Sequence, residues 1–234
     1  MPKALKTSLK ALLILALVAG LTAYLILTRK NIHQVESNGL KPLSYRSAQL
    51  KPNDLAHLIA SKDIDVVLNV RGGNDSDKWY KEERDLVLSL GKEYHSHGFS
   101  VYKPPSRERF LDIVNVIEKA KAENKNILIH CKAGADRTGL ISAVSQIILY
   151  DFPVEKAYKS SLNIPYGHVP NPNGPVEQVL IRYEESTKKI PNISFKEWVN
   201  KYYSRKEILA YAAEHKAIPE SKYPGALVSS SGVL

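Results

Sequence analysis

The sequence predicts an α/β fold, a three-layer sandwich in which a largely parallel central sheet is flanked by helices. Short β-branched runs alternate along the chain with longer segments whose apolar residues recur at helical spacing. This alternation is typical of parallel strands that are joined by crossover helices. With 234 residues, 44% of them apolar, the chain is long enough to bury the core of one main domain.

The first elements follow from local patterns. Residues 43–48 alternate apolar and polar side chains, as a strand does, and residues 53–60 begin with an Asn-Asp pair that can cap a short helix. Residues 64–70 are a β-branched run that stops at a pair of glycines, which predicts a buried strand.

The middle of the chain continues the alternation. We expect a helix over 77–90, a strand over 94–101 that a Pro-Pro pair ends, a helix over 107–124, a short buried strand over 126–130 and an apolar helix over 138–150. The apolar side chains assigned to the core on the first two of these helices are Trp79, Tyr80, Leu86, Leu90, Phe110, Ile113, Val114, Val116 and Ile117.

The last third is less regular. A helix is expected over 153–162 and a surface loop over 163–175, because Pro, Asn and Gly are concentrated there. Ser194 can cap a helix, which residues 208–215 extend or follow. The apolar residues of the capped helix are Phe195, Trp198, Val199 and Tyr202. We expect its aromatic side chains to pack on the main domain; the alternative is an amphipathic helix that contacts a membrane or a partner.

The first 30 residues predict a membrane anchor or signal segment. An apolar run of about 17 residues separates Lys3, Lys6 and Lys10 from Arg29 and Lys30. The run continues past the small residues of the best cleavage sites, so we expect an uncleaved anchor, with the following domain outside the cytoplasm, in a bacterial periplasm. Cleavage would give a secreted protein. A buried core helix is disfavoured by the basic flanks.

The rest of the chain divides into a linker over 31–42, the main domain over 43–216 and a flexible tail over 217–234. The formal net charge of +9 falls to +4 without the five basic residues that flank the apolar run. This excess is too diffuse for a nucleic-acid-binding face, and we expect no nucleic-acid partner. The sequence carries no signal for the oligomeric state.

The chemistry is concentrated between the strand at 126–130 and the helix at 138–150. Cys131 is the single cysteine of the chain. Backbone N–H groups of a loop before a helix N-terminus stabilise a thiolate, so we expect Cys131 to be ionised near neutrality. Gly134 permits the tight path of such a loop. The guanidinium of Arg137 can return to the loop centre and bind two phosphate oxygens at once.

Three neighbours have supporting roles. His130 is expected to fix the loop geometry through hydrogen bonds, and the Thr138 hydroxyl can donate to the sulfur and stabilise it as a leaving group. Lys132 adds positive charge at the rim of the site, or is a solvated surface lysine.

These residues match a known signature. His130 and Cys131, followed by Gly134, Arg137 and Thr138, resemble the HCxxGxxR[ST] motif of the protein-tyrosine and dual-specificity phosphatase superfamily. The resemblance covers residues 45–150, and the compact arrangement of these residues is similar to the bacterial dual-specificity-like branch of the superfamily. It implies the cysteine-phosphatase fold.

The resemblance also implies the chemistry. Cys131 attacks phosphorus, and water hydrolyses the phosphocysteine, with no metal or other cofactor. The phosphate is bound by Arg137 and by the loop residues Lys132, Ala133, Gly134 and Ala135.

Family members usually carry their general acid, an aspartate, on a loop about thirty residues before the cysteine. No aspartate stands in the corresponding stretch of this sequence. Glu93 is the only acid between residues 91 and 106. Asp136 is the favoured substitute, since it resembles the loop aspartate of myotubularin-type lipid phosphatases. It could instead pair with Arg137 or cap the following helix. Glu108 is a second candidate, and the other choices are Asp75, Asp77 or no enzyme acid at all.

The remaining candidates stay open. His95 and His97 have the spacing of alternate strand residues, but no third ligand is near, so we expect no metal site. Arg46 and Arg71 either line the pocket or pair with surface acids. The expected function is a phosphomonoesterase of the protein-tyrosine or dual-specificity type. The alternatives are a lipid, inositol or envelope-glycan phosphate phosphatase of the same mechanism, and a silent anchored phosphate-binding module.

Overall fold

A five-stranded sheet lies at the centre of the computed structural model, which describes residues 14–15, 17–18, 20 and 29–219. The strands are β1 (His33–Gln34), β2 (Ser44–Ser47), β3 (Ile64–Asn69), β4 (Glu93–Ser96) and β5 (Asn126–His130). Their order is β1-β2-β5-β3-β4, with β1 antiparallel to β2 at one edge and the other neighbours parallel.

Helices cover both faces of this sheet. From residue 29 to residue 219 they are α1 (Pro52–Ser61), α2 (Lys78–Ser89), α3 (Arg107–Ala122), α4 (Asp136–Tyr150), α5 (Val154–Ser161), α6 (Pro175–Lys189), α7 (Phe195–Lys201) and α8 (Arg205–Glu214), with a 3-10 turn at Ile164–Tyr166. Ile127 and Ile129 of β5 pack toward α3 to α8, whereas Leu128 packs toward α1 and α2. The predicted three-layer sandwich is confirmed.

The carboxyl ends of three parallel strands meet at one edge of the sheet. His130, the last residue of β5, is paired with Ser47 of β2 on one side and with Asn69 of β3 on the other. In open α/β sheets this edge is where ligands bind.

The segment expected to be a linker packs on the domain instead. His33 and Gln34 form the edge strand β1, and the N–H of Val35 donates to the carbonyl of Ser44 at 2.9 Å. Asn31 and Val35 are both 3% exposed. A two-residue strand has no local pattern, so this pairing could not be recognised from the sequence.

Two other elements differ from expectation. The strand predicted over 94–101 ends at Ser96, and the chain then continues irregularly through Gly98. On α2 the buried residues are Glu83 and Val87, while Leu90, assigned to the core, is 44% exposed. Leu90 follows the end of the helix, whereas Leu86 packs against the core as predicted. Glu83 lies on the same face, and its carboxylate has partners inside the domain, which apolar spacing alone does not reveal.

The aromatic residues near the carboxyl end pack on the domain, as expected. The rings of Phe195 and Tyr203 lie 5.4 and 5.3 Å from that of Phe110 on α3. Trp198 is also buried, but Tyr202, predicted to lie on the same face, is 51% exposed and Tyr203 takes its place.

The predicted membrane segment over 1–30 and the predicted tail over 217–234 fall mostly outside the described residues. Within the part of the chain that is described, no helix combines the length and the apolar character that crossing a bilayer requires.

Candidate active site

The segment from Cys131 to Ala135 is a loop between β5 and α4, at the edge where the parallel strands end. Cys131 is 3% exposed. Helix α4 begins at Asp136, so the positive end of its dipole lies next to the loop. This is the strand, loop and helix order that the motif predicts.

Residues on either side of β2 hold the carbonyl groups of the loop. The side-chain amide of Asn31 donates through Nδ2 to the carbonyl oxygens of Ala133 and Gly134, at 3.2 and 2.9 Å. The backbone N–H of Gln49 donates to the carbonyl of Lys132 at 3.2 Å. Because Asn31 is buried, water does not compete for these contacts.

Arg46 holds the loop from the same side. Its Nη2 donates to the carbonyls of Gly134 and Ala135 at 2.8 and 3.3 Å, and its Nη1 donates to that of Ser161 at 2.7 Å. The guanidinium lies 4.0 Å from the ring centroid of Tyr166. Burial lowers the pKa of Arg46 to about 10, so the side chain stays charged at neutral pH. Arg46 therefore supports the loop from behind and does not pair with a surface acid.

With their carbonyl oxygens held outward, the peptides of the loop turn their N–H groups to the opposite side, which is the arrangement of an anion-binding nest. Gly134 makes this path accessible, with a φ of +69°. A Cβ there would lie 2.6 Å from the backbone nitrogen of Ala48 and 2.7 Å from the carbonyl oxygen of Ser47. The motif glycine is required both by its φ and by this close approach.

An open cleft of about 710 Å³ is lined by Arg71, Arg109 and Arg137 among other residues. Nη1 of Arg137 donates to the carbonyls of Arg71 and Phe99, both at 3.0 Å. Its Nε is buried and has no hydrogen-bond partner among the described residues.

The two other arginines of the cleft are fixed by their neighbours. The guanidinium of Arg71 lies 3.5 Å from the ring centroid of Trp79. Burial, together with the charge of Arg137, lowers the pKa of Arg71. Nη1 of Arg109 donates to the carbonyl of Gly98 at 2.8 Å. Three guanidinium groups around one opening favour a ligand with more than one negative charge.

The remaining motif residues take different positions. Lys132 and Ala133 are exposed, so they lie at the outer rim of the loop. Thr138 is fully buried, and its hydroxyl has no partner in the described part of the chain. The structure therefore shows no hydrogen bond from this hydroxyl to the Cys131 sulfur, and the expected role of Thr138 stays a prediction.

His130 belongs to a buried group that we call the inner cluster, formed with Glu83, Asn69, Tyr94 and Gln49. Nε2 of His130 lies 3.1 Å from Oε1 of Glu83. The same carboxylate accepts from Asn69 at 3.2 Å, from the Tyr94 hydroxyl at 2.8 Å and from the Gln49 side chain. Burial alone would raise the pKa of Glu83, but His130 and these donors lower it overall. The side-chain hydrogen bonds expected of His130 are not formed, because neither ring nitrogen has a hydrogen-bond partner among the described residues. His130 instead packs beside a carboxylate that other donors hold in place.

Asp136 belongs to a second group, the outer cluster, with His168 and Glu177. Nδ1 of His168 lies 2.7 Å from Oδ1 of Asp136, and its Nε2 lies 2.8 Å from Oε1 of Glu177. The side chains of His168 and Glu177 are 4% and 3% exposed, whereas that of Asp136 is 40% exposed. Burial opposes the charge on His168, but the two carboxylates raise its pKa to about 9. Asp136 therefore pairs with His168 and not with Arg137.

The other candidate acids lie away from the loop. None of them lines the cleft, and Asp136 does not line it either, because its carboxyl group lines an adjoining cavity of about 210 Å³. Glu108 is exposed in the first turn of α3. Asp75 is paired with Arg84, and Asp77 accepts from the backbone N–H of Asn74 at 3.1 Å. Their positions leave Asp136 as the carboxyl group next to the loop.

His95 and His97 lie side by side, with ring centroids 6.4 Å apart. Across the described residues, no group of three or more His, Cys, Asp or Glu side chains could hold a metal ion.

Four residues that contact the loop or its neighbours were missed from the sequence. Asn31 lay in the expected linker and His168 in the expected surface loop. Glu83 lay on the predicted core face of its helix, where a charged residue is not expected. Glu177 had a signal that was available, because Pro175 and an acidic first turn mark a helix start.

A protein-family model described as "Polymorphic toxin system, DSP-PTPase phosphatase" matches residues 43–149. Receptor-type tyrosine-protein phosphatase epsilon of Homo sapiens is 28% identical over 103 residues, which is 43% of this chain and 13% of that protein. The region that the family model matches contains the whole phosphate loop, whereas His168 and Glu177 lie beyond that region.

Solved structures share the fold. The crystal structure of a mutant form of Tk-PTP has a TM-score of 0.52 and 22% identity, and the match covers 64% of this chain and 95% of that one. For Tk-PTP in the active form the TM-score is 0.50 and the identity 20%, with 62% and 93% covered.

Proposed function

We propose that this chain, which carries a cysteine-based phosphatase domain of the protein-tyrosine and dual-specificity type, hydrolyses phosphomonoesters through a phosphocysteine at Cys131. One observation carries the proposal. The loop from Cys131 to Arg137 has its carbonyl groups tied outward by Asn31, Gln49 and Arg46. This leaves N–H groups for a tetrahedral anion beside the only thiol of the chain.

In the first step the Cys131 thiolate attacks phosphorus, an S–P bond forms, and the bond to the leaving oxygen breaks. Asp136 gives that oxygen a proton, while the loop N–H groups and Arg137 bind the phosphoryl oxygens. In the second step water attacks phosphorus, Asp136 takes its proton, and the S–P bond breaks to release phosphate. The Thr138 hydroxyl then donates to the departing thiolate.

The substrate is an ester of phosphate on a protein, or one on a lipid, an inositol or an envelope glycan. Phosphoprotein is the default for domains of this type. The three guanidinium groups of Arg71, Arg109 and Arg137 around one open cleft support the second class, because they suit a ligand with several phosphates. A panel of phosphopeptides, inositol phosphates and lipid phosphates, compared by kcat/KM, decides between the two.

We also propose that residues 1–30 anchor the chain in a membrane with the phosphatase domain outside the cytoplasm. The support is the uncharged apolar run between two basic flanks. The full chain, expressed in bacteria, should stay with membranes through an alkaline wash and be digested by protease added to spheroplasts. Recovery in the soluble fraction, or protection from the protease, would contradict this.

The catalytic proposal is tested with Cys131→Ser in the full chain. The wild type should hydrolyse p-nitrophenyl phosphate, vanadate should inhibit it, and the variant should fall to background. Because the chain has one cysteine, alkylation by iodoacetate reports on Cys131 alone, and vanadate should slow it. Phosphate binding without turnover in the wild type would instead identify a silent phosphate-binding module.

A further inference from the structure

We infer that His168 is a positioning residue for Asp136: as an imidazolium it holds the Asp136 carboxyl group beside the phosphate loop, and Glu177 fixes the imidazolium from the other side. This inference rests on the proposed function of Asp136.

The geometry places three groups in a line. The Asp136 carboxyl group on α4 meets Nδ1 of His168 at 2.7 Å, and Nε2 of His168 meets the Glu177 carboxylate on α6 at 2.8 Å. Glu177 is itself held by the backbone N–H of Asn171, at 2.8 Å from the same Oε1. Rotation of the His168 ring would break both of its contacts, so the ring has one orientation.

The protonation state follows from the partners. Both ring nitrogens face carboxylate oxygens, and only an imidazolium can donate from both. Although burial lowers the pKa of His168, the two carboxylates raise it to about 9. Tyr158 on α5 is a further titratable group, and burial, followed by the charge of Glu177, raises the pKa of Tyr158. Tyr102 is another titratable group nearby, since it lines the same cavity of about 210 Å³ as Asp136, His168 and Glu177.

The line ends at an accessible carboxyl group. Glu177 and the His168 side chain are closed off from solvent, while the Asp136 side chain is 40% exposed. The His168 contact occupies Oδ1, so Asp136 meets a substrate or a water with a carboxyl group that cannot turn freely.

The test compares two esters in the full-length wild type and in His168→Gln. An alkyl phosphate has a poor leaving group that needs a proton, whereas p-nitrophenyl phosphate needs one much less. Because kcat/KM reports the steps up to the phosphocysteine, we expect it to fall about tenfold more for the alkyl ester than for the aryl ester. In the wild type, loss of the His168 proton at a pKa of about 9 should add an alkaline limb to the pH profile for the alkyl ester, and the variant should lack this limb.

Glu177→Gln is the second variant and should change the two esters in the same direction by a smaller factor. It carries the test if His168→Gln does not fold, as judged by thermal unfolding and vanadate binding. His95→Gln is the matched control, since His95 pairs with Glu93 away from the cleft. It should not alter the ratio of the two esters.

Equal losses on both esters with an unchanged pH profile would show that His168 only stabilises its loop, and the inference would fail. The proposed function fails separately, because it requires aryl phosphate turnover that depends on Cys131 in the wild type.

Discussion

Two buried histidines lie on either side of the phosphate loop, and each is paired with a buried glutamate. In the inner cluster His130 lies 3.1 Å from Glu83, and in the outer cluster His168 lies 2.8 Å from Glu177. The other partners of Glu83 are neutral donors, whereas the other partner of His168 is the carboxyl group of Asp136.

This difference gives the two pairs different tasks. The only carboxyl group of the inner cluster, that of Glu83, is 3% exposed and lies beside the end of β5, so the cluster should affect every substrate equally. The outer cluster ends at a carboxyl group that solvent reaches, so it should affect proton transfer in particular. The same pair of residue types can therefore serve as a scaffold in one place and in the chemistry in another.

The largest expected effect on folding stability is that of Glu83→Ala. Removing the buried carboxylate leaves the donors of Asn69, Tyr94 and Gln49 without their acceptor, and we expect a loss of about 3–5 kcal/mol in the free energy of unfolding. Urea unfolding measures it. The ratio of kcat/KM for alkyl and aryl esters should stay as in the wild type. A selective loss on the alkyl ester would break the comparison, because it would give the inner cluster a role in proton transfer.

The next effect concerns pH, and it has opposite signs in the two clusters. The pKa of His168 is raised from 6.5 to about 9 in the folded protein. Its contribution is complete below pH 6.5 and is lost as the pH rises through 9, which amounts to roughly 3 kcal/mol. The lowered pKa of Glu83 gives stability that is present above pH 4.5 and is lost as the pH falls through the folded-state value.

Urea unfolding of the wild type and His168→Gln from pH 2.5 to pH 9.5 separates these contributions. The variant should lack the alkaline decline and keep the acidic one. An alkaline decline of the same size in both proteins would mean that His168 is not charged in the outer cluster.

The smallest expected effect on stability is that of Asp136→Asn, about 0.5–1 kcal/mol, because the side chain is partly exposed and His168 keeps Glu177. Its effect on chemistry should be large, with kcat/KM for the alkyl ester reduced about a hundredfold. Unchanged turnover of alkyl esters would rule out Asp136 as the general acid and would leave the outer cluster with a structural role only.

The sequence predicts the loop itself well, because its determinants are consecutive. Cys131, Gly134 and Arg137 lie within seven consecutive residues. The strand before them and the helix after them have clear local patterns. The order of the larger elements follows for the same reason.

The supports of the loop could not be predicted, because they arrive from distant parts of the chain. Asn31 is about a hundred residues before the carbonyls that it holds. His168 is buried in a segment whose composition is that of a surface loop. Helix α6 was recognisable in principle, since Pro175 begins it and its buried residues have helical spacing. These residues include Val176, Val179, Leu180 and Tyr183.

The position of Asn31 determines how the protein can be shortened. The carbonyl of Lys30 accepts from the backbone N–H of Ala48 at 2.8 Å, and Arg29 donates to the carbonyl of Pro165. The last two residues of the predicted anchor segment therefore already bind the domain. A tag or spacer joined before residue 29 leaves these contacts in place. A chain that starts after residue 31 lacks the Asn31 side-chain amide, which holds two carbonyl groups of the loop. A mechanical force applied to the chain before residue 29 would act first on the contacts of residues 29–31, and through Asn31 on the phosphate loop.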